Sequence, residues 1–198
     1  MRKRTIWIAV LAVAMLEAAS SIAFAADETV APRTWARRMC VAALPGAERG
    51  IERFATAGDL SSASPSTVEE MVARVEASDE LVAGIADVLG GFRDGVVAAG
   101  VPRIPDGRAT MAALRNDLDR LLEGLDAMRA AFARFLEDPA SDPAAAAAEV
   151  QAAFEEYLNP DAFGAIDEHW PQRLTRAMRR VPECVVLSDA MDAAAASF

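Results

Sequence analysis

The sequence predicts an exported all-α protein, an up-down helical bundle with two long antiparallel amphipathic helices and shorter helices at the N- and C-terminal ends. Two long segments carry apolar residues at alternating steps of three and four. Aromatic residues make up only 6% of the chain, so the core must be built from Leu, Val, Met and Ala, as closely packed helices allow. A β-sandwich needs more β-branched and aromatic side chains.

The first 25 residues have the organisation of a secretory signal peptide. Arg2, Lys3 and Arg4 precede an apolar run over residues 6–16, and Ala23 and Ala25 supply small residues for cleavage after Ala25. The run is shorter than the ~20 residues of a membrane-spanning helix. We therefore expect a periplasmic or secreted protein with no transmembrane segment after cleavage; an uncleaved N-terminal anchor is the alternative.

Charge narrows the classes of partner. The chain has 20 basic and 30 acidic residues. The predicted signal peptide holds three of the basic residues and one of the acidic residues, so residues 26–198 carry 17 basic and 29 acidic residues and a net charge of −12. A field of this sign disfavours nucleic acid and anionic lipid surfaces. The length of residues 26–198 suits a single domain.

The segment before residue 60 predicts a flexible start over residues 26–33 and then a helix from Thr34. Trp35 and Met39 share one face of this helix. Pro45-Gly46 is predicted to break or kink it. A second helical piece then ends at Gly58.

Residues 66–99 predict the first long helix. Ser64 with Pro65 can begin it, or a capping box over residues 66–69. The pair Gly90-Gly91 predicts either a kink or the close approach of a neighbouring helix. The predicted buried stripe consists of Val68, Met71, Val75, Ser78, Val82, Ile85, Leu89, Phe92 and Val96.

Residues 108–137 predict the second long helix, joined to the first by a short Pro-rich turn. Its stripe has no polar exception and consists of Met111, Leu114, Leu118, Leu121, Leu125, Met128, Phe132 and Phe135. Each helix is about 45 Å long at 1.5 Å per residue. Two such stripes on either side of a short turn predict an antiparallel hairpin.

The last third of the chain predicts shorter helices. Asp142 caps one that extends to Leu158, and another ends at Trp170. A helix from Pro171 turns Leu174, Ala177, Met178 and Val181 inward and stops at Pro182. The tail from residue 188 is predicted to form a frayed Ala-rich helix.

Cys40 and Cys184 are the two cysteines of the chain. An even count in an oxidising compartment predicts a disulfide between them. Two buried free thiols are the alternative. A bond over so long a loop stabilises by about 4–5 kcal/mol in the chain-entropy model.

Arginines form the candidate binding site. Arg173, Arg176 and Arg180 share one helix face because they are spaced by three and four residues. The disulfide would bring them to Arg37 and Arg38 (Arg33 and Arg179 lie close by). Guanidinium groups suit carboxylate and phosphate oxygens, so the cluster predicts a site for an acidic partner or an anion; pairing with the chain's own carboxylates is the alternative.

The sequence predicts no catalytic residues, no metal site and no cofactor. His169 is the only histidine, a weak metal candidate that we interpret as a helix-end residue. Motifs for zinc, covalent haem, phosphate loops and dinucleotides are missing. Non-covalent haem between Met39 and His169 is an alternative. The runs Glu155-Glu156 and Asp167-Glu168 lack calcium-loop spacing.

These observations predict a non-enzymatic binding or interaction module of the cell envelope. An envelope or secreted protein is the expected partner, ahead of a small molecule. The alternatives are a bundle that binds an anion or haem between its helices, and an enzyme whose site is assembled only in the fold.

Overall fold

The computed structural model describes residues 29–57, 67–139 and 171–195, with the isolated positions 148 and 152. The described elements, in chain order, are β1 (Thr29–Val30), α1 (Pro32–Ala57), α2 (Val68–Ala99), β2 (Val101–Pro102), α3 (Gly107–Glu137), α4 (Gln172–Met178) and α5 (Pro182–Ala195). The chain is predominantly helical, which confirms the all-α class. Among the described helices, none combines the length and the apolar character needed to cross a bilayer.

Several predictions fall outside the described residues. They include the signal peptide over residues 1–25, the end of a helical piece at Gly58 and the helix start at Ser64-Pro65. The helices predicted between residues 142 and 170, apart from positions 148 and 152, and the acidic runs at residues 155–156 and 167–168 lie there too. His169 also lies there, so the structure places only Met39 of the two residues considered for haem.

Helix α1 is continuous through Pro45. Of the two outcomes predicted there, a break or a kink, the break is wrong. A proline inside a helix costs about 3 kcal/mol through a lost hydrogen bond and a steric clash. Pro45 itself is exposed, whereas Ala43, Gly46 and Ala47 beside it are buried against α2. Packing along that face holds the helix together across the proline, as tertiary contacts commonly outweigh local propensity.

Helix α2 begins with a capping box one residue beyond the predicted one. The Thr67 side chain accepts from the Glu70 backbone N–H at 3.1 Å, and the Thr67 N–H donates to Glu70 Oε2 at 3.2 Å. The helix then continues through Gly90-Gly91 to Ala99. These two glycines therefore do not interrupt it.

Helices α1 and α2 meet through glycines. A β-carbon on Gly46 would lie 2.6 Å from both the Gly91 Cα and the Asp87 carbonyl oxygen, and one on Gly50 would lie 2.6 Å from the Gly84 carbonyl oxygen. Residues 46 and 50 thus face residues 91 and 84, so the two helices run in opposite directions. Of the two alternatives predicted for Gly90-Gly91, the close approach is what Gly91 shows.

Helix α3 buries all eight residues of its predicted stripe. Helix α2 fits its prediction less well, because it packs against α1 as well as α3. Val82 and Val96 of the predicted stripe are buried, but so are Val88 and the glycines that face α1. Arg93 contacts Asp119 and Arg129 contacts Asp79, so α2 and α3 also run in opposite directions.

Two short strands lie where the sequence predicts a flexible start and a turn. Thr29 pairs with Val101 and Val30 with Pro102 in a parallel ladder. The Arg103 backbone N–H donates to the Val30 carbonyl at 2.7 Å. The pairing ties the segment before α1 to the α2–α3 connection.

Pro182 begins α5, whereas the sequence predicts only that a helix stops there. Its fixed φ suits the first helical position, where no N–H is needed for the helical ladder. The predicted frayed tail from residue 188 is the continuation of this helix to Ala195. Leu174 and Val181 are buried as predicted, while Ala177 and Met178 are half-buried.

The glycine contact provides a matched pair of substitutions. Gly46→Ala is expected to lower the free energy of unfolding by about 1–3 kcal/mol, because the new methyl group meets backbone atoms that cannot rotate away. Gly90→Ala meets no atom within 4 Å and is expected to stabilise by about 0.5–1 kcal/mol through helix propensity. Urea denaturation of both variants measures the difference, and equal stabilities would contradict the close packing.

Candidate anion-binding site

A disulfide joins α1 to α5. Cys40 and Cys184 are bonded with a Cα–Cα distance of 5.1 Å across a sequence separation of 144 residues. Cys40 is fully buried and Cys184 nearly so. The bond is consistent with the predicted pairing and fits a non-cytoplasmic compartment, where disulfides persist.

The disulfide lies within the larger of the two apolar clusters that the described residues form. This cluster combines Trp35 and Met39 of α1 with Leu174, Val181 and Leu187 from the C-terminal segment. Helices α4 and α5 make their main helix contacts with α1. The arginines of α4 are therefore positioned chiefly by their attachment to α1.

Four arginines line one concavity of about 450 Å3 beside this attachment. Arg173, Arg176 and Arg180 come from α4 and the turn that follows it, and Arg33 comes from the first turn of α1. All four are exposed, and Ala31, Pro32 and Ala177 complete the described lining. We call this group the arginine concavity; its described lining contains no carboxylate.

Two of the four guanidinium groups donate to backbone carbonyl oxygens. Arg33 Nη2 donates to the Arg180 carbonyl at 3.5 Å, and Arg176 Nε donates to the Gln172 carbonyl at 3.4 Å. None of the four makes an ion pair with another described residue. Four like charges that share one concavity repel one another, and a bound anion offsets that repulsion.

Arginines elsewhere in the fold do pair with carboxylates. Arg53 on α1 reaches Asp87 at 2.8 Å and Glu80 at 2.9 Å on α2, and Arg93 on α2 reaches Asp119 on α3 at 2.8 Å. The hydrogen bonds that Arg53 and Arg93 donate to these carboxylates raise the pKa of each arginine. The arginines at these helix interfaces thus have carboxylate partners, and those of the arginine concavity differ from them in this respect.

The two other predicted arginines do not join the concavity. Arg37 Nε lies 2.8 Å from Glu183 Oε1 in the first turn of α5, so it follows the internal-pairing alternative. The Glu183 pKa is lowered, first by the carboxylate's hydrogen bond to its own backbone N–H and then by Arg37. Arg38 is exposed and is not part of the described lining. Arg33, which precedes both, takes their place.

A second, apolar cavity of about 640 Å3 lies on another side of α4. Its walls include Met39, Leu89, Phe92, Val96, Leu114 and Leu118 from α1, α2 and α3. Thr175, Arg179, Ser188 and Asp189 contribute its polar atoms. The sequence pattern does not predict this cavity, because Leu89, Phe92 and Val96 of α2 and Leu114 and Leu118 of α3 belong to stripes that the pattern assigns to the core.

No group of three or more potential metal ligands occurs within residues 29–57, 67–139 and 171–195. Both cysteines are bonded to each other in the disulfide, so neither offers a free thiolate as a metal ligand. What distinguishes the described surface is therefore the arginine concavity and the neighbouring apolar cavity. No family model, no curated protein and no solved structure matches the chain.

Proposed function

We propose that the chain is an exported, non-enzymatic binding module that holds an acidic segment of a partner protein in its arginine concavity. The observation that carries this proposal is the set of four exposed guanidinium groups without a carboxylate in their described lining. The proposal treats residues 26–198 as one domain, an up-down bundle placed in the periplasm or outside the cell. The disulfide supports that location.

The size of the concavity favours a protein segment over a single small anion. Its volume of about 450 Å3 far exceeds that of one small anion, given that a water molecule occupies about 30 Å3 in the liquid. Arg173 and Arg176 share one face of α4, and Arg180 in the turn that follows lies in the same lining. A segment with several carboxylates can therefore contact the three in succession. The acidic remainder of the chain repels polyanions that would cover more than this surface.

The proposal can be tested with a fluorescently labelled oligo-glutamate peptide. We expect the protein to bind it, with an affinity that falls as salt is added, because exposed charge pairs are screened. Arg176→Gln should weaken binding about two- to fivefold, the effect of one exposed ion pair. The triple variant of Arg173, Arg176 and Arg180 to Gln should weaken it by about tenfold or more. Fluorescence anisotropy measures each affinity.

Arg179→Gln is the matched control. It removes the same charge from an adjacent part of the chain, but Arg179 does not line the concavity. Equal losses in Arg176→Gln and Arg179→Gln would show that the peptide responds to net charge alone. A natural partner is then sought by capture from the envelope fraction with the wild-type protein and the triple variant, and it should be missing from the variant.

A second candidate function is small-ligand binding between the helices. The observation that favours it is Met39, which is 1% exposed and lies in the wall of the apolar cavity. Haem held by Met39 and His169 would give a Soret band in the purified protein. A protein that purifies without a Soret band and takes up no added haem excludes haem binding.

A further inference from the structure

The apolar cavity has the composition of a site for an amphiphile. It is bordered by α1, α2 and α3 on one side and by α4 and α5 on the other. Leu89, Phe92 and Leu118 offer mainly hydrocarbon surface, and its volume of about 640 Å3 falls within the roughly 300–1,000 Å3 of ligand sites. An acyl chain buried there would gain about 0.8 kcal/mol per methylene group removed from water.

The polar residues of this cavity carry both signs of charge. Arg179 and Asp189 contribute to the same lining, and both are exposed. Neither makes an ion pair with the other or with another described residue. A purely anionic headgroup would satisfy Arg179 and be repelled by Asp189, whereas a zwitterionic headgroup presents an anion to one and a cation to the other.

We propose that this cavity binds a single-chain amphiphile with a zwitterionic headgroup, a lysophospholipid. The acyl chain lies against Leu89, Phe92 and Leu118. The phosphate contacts Arg179, and the quaternary ammonium or ammonium group contacts Asp189. Thr175 and Ser188 supply hydroxyl groups at the same lining. The site is separate from the arginine concavity, so the two can succeed or fail independently.

Two adjacent valines supply a matched pair for the apolar part. Val185 lines the cavity and is 43% exposed, whereas Val186 is 57% exposed and is not part of the lining. Val185→Glu places a carboxylate against the acyl chain and is expected to weaken binding by about tenfold or more. Val186→Glu makes the same chemical change outside the cavity and should leave the affinity unchanged.

The headgroup is tested by Arg179→Gln and Asp189→Asn. Each is expected to weaken binding about two- to fivefold, because each removes one exposed charge contact. Arg173→Gln lies in the arginine concavity and is the control. Because these substitutions change exposed side chains, we expect the fold to be unchanged. Circular dichroism checks this.

Isothermal titration calorimetry of the purified full chain with palmitoyl lysophosphatidylcholine measures the binding. Saturable 1:1 binding with a negative heat-capacity change supports burial of an acyl chain. No saturable binding, or equal affinity in Val185→Glu and Val186→Glu, overturns the proposal. The proposal is also overturned if palmitate binds at least as tightly as the lysophospholipid and Asp189→Asn strengthens the binding of palmitate, because that result indicates an anionic ligand. Uptake of haem by the cavity would overturn it as well. Unchanged oligo-glutamate binding in Val185→Glu shows that the two sites are independent.

Discussion

Replacing both Cys40 and Cys184 by alanine is expected to lower the free energy of unfolding by about 4–5 kcal/mol. The disulfide closes a loop with a sequence separation of 144 residues, and the entropy that such a bond removes from the unfolded chain grows slowly with loop length. Small domains are stable by about 5–15 kcal/mol in total. The midpoint of thermal unfolding should fall by roughly 8–20 °C, as measured by circular dichroism.

The same variant should lose affinity for the oligo-glutamate peptide. Arg33 is on α1, whereas the other three arginines of the concavity are on α4 and the turn after it. The disulfide joins these two parts covalently, and α4 and α5 make their main helix contacts with α1. Without the bond, fewer molecules hold all four guanidinium groups together at a given moment, and the apparent affinity falls with that fraction.

Reduction provides the control for this prediction. A thiol reductant should lower the stability of the wild-type protein toward that of the double variant and leave the double variant unaffected. If the double variant unfolds at the wild-type temperature, non-covalent packing alone holds α5 on α1. The predicted loss of oligo-glutamate affinity in the double variant would then be wrong as well.

Helix α3 shows how far a regular pattern predicts structure. Its eight stripe residues are buried, because the helix has one buried face and a polar opposite face, the case in which a 3-4 pattern maps directly onto burial. Helix α2 has two packed faces, one apolar and one made of small residues. The second is invisible to a hydrophobic pattern, since glycine contributes close approach and no apolar area.

Helix α1 shows where a local sequence pattern fails to predict the structure. Locally, Pro45-Gly46 predicts a break or a kink. In the fold, Gly46 is the contact that lets α1 approach Gly91 within van der Waals distance, and the packing of that face outweighs the proline. A local pattern cannot weigh a contact with residues 45 positions away.

The arginine concavity could be predicted only as far as helix geometry extends. The spacing of Arg173, Arg176 and Arg180 predicts one helix face. Arg180 lies in the turn after α4, and the structure still places all three in one lining. The N-terminal arginine that joins them depends on how α4 and α5 pack on α1. Arg37 forms an ion pair with Glu183 of α5, and Arg33 lines the concavity. The apolar cavity depends on the same docking, so no single segment encodes it.

Trp35→Ala is expected to lower the free energy of unfolding by about 3–5 kcal/mol, the usual result of truncating a large buried aromatic side chain. Trp35 is 0% exposed, and its indole N–H donates to the Gly100 carbonyl at 3.0 Å. Gly100 has a φ of 74°, where the chain turns from α2 into β2. The side chain therefore fills the core of the disulfide-linked end and also holds the α2–β2 corner against α1.

Trp35→Phe separates these two contributions. It retains an apolar ring in the core and removes the N–H, so the Gly100 carbonyl loses this donor at a cost of about 1–3 kcal/mol. Chemical denaturation of both variants measures the two losses. If Trp35→Phe is as stable as the wild type, the hydrogen bond to Gly100 adds nothing to the corner, and packing alone positions the first turn of α1. Because Arg33 belongs to that turn, a corner that does depend on the hydrogen bond should also show weaker oligo-glutamate binding in Trp35→Phe.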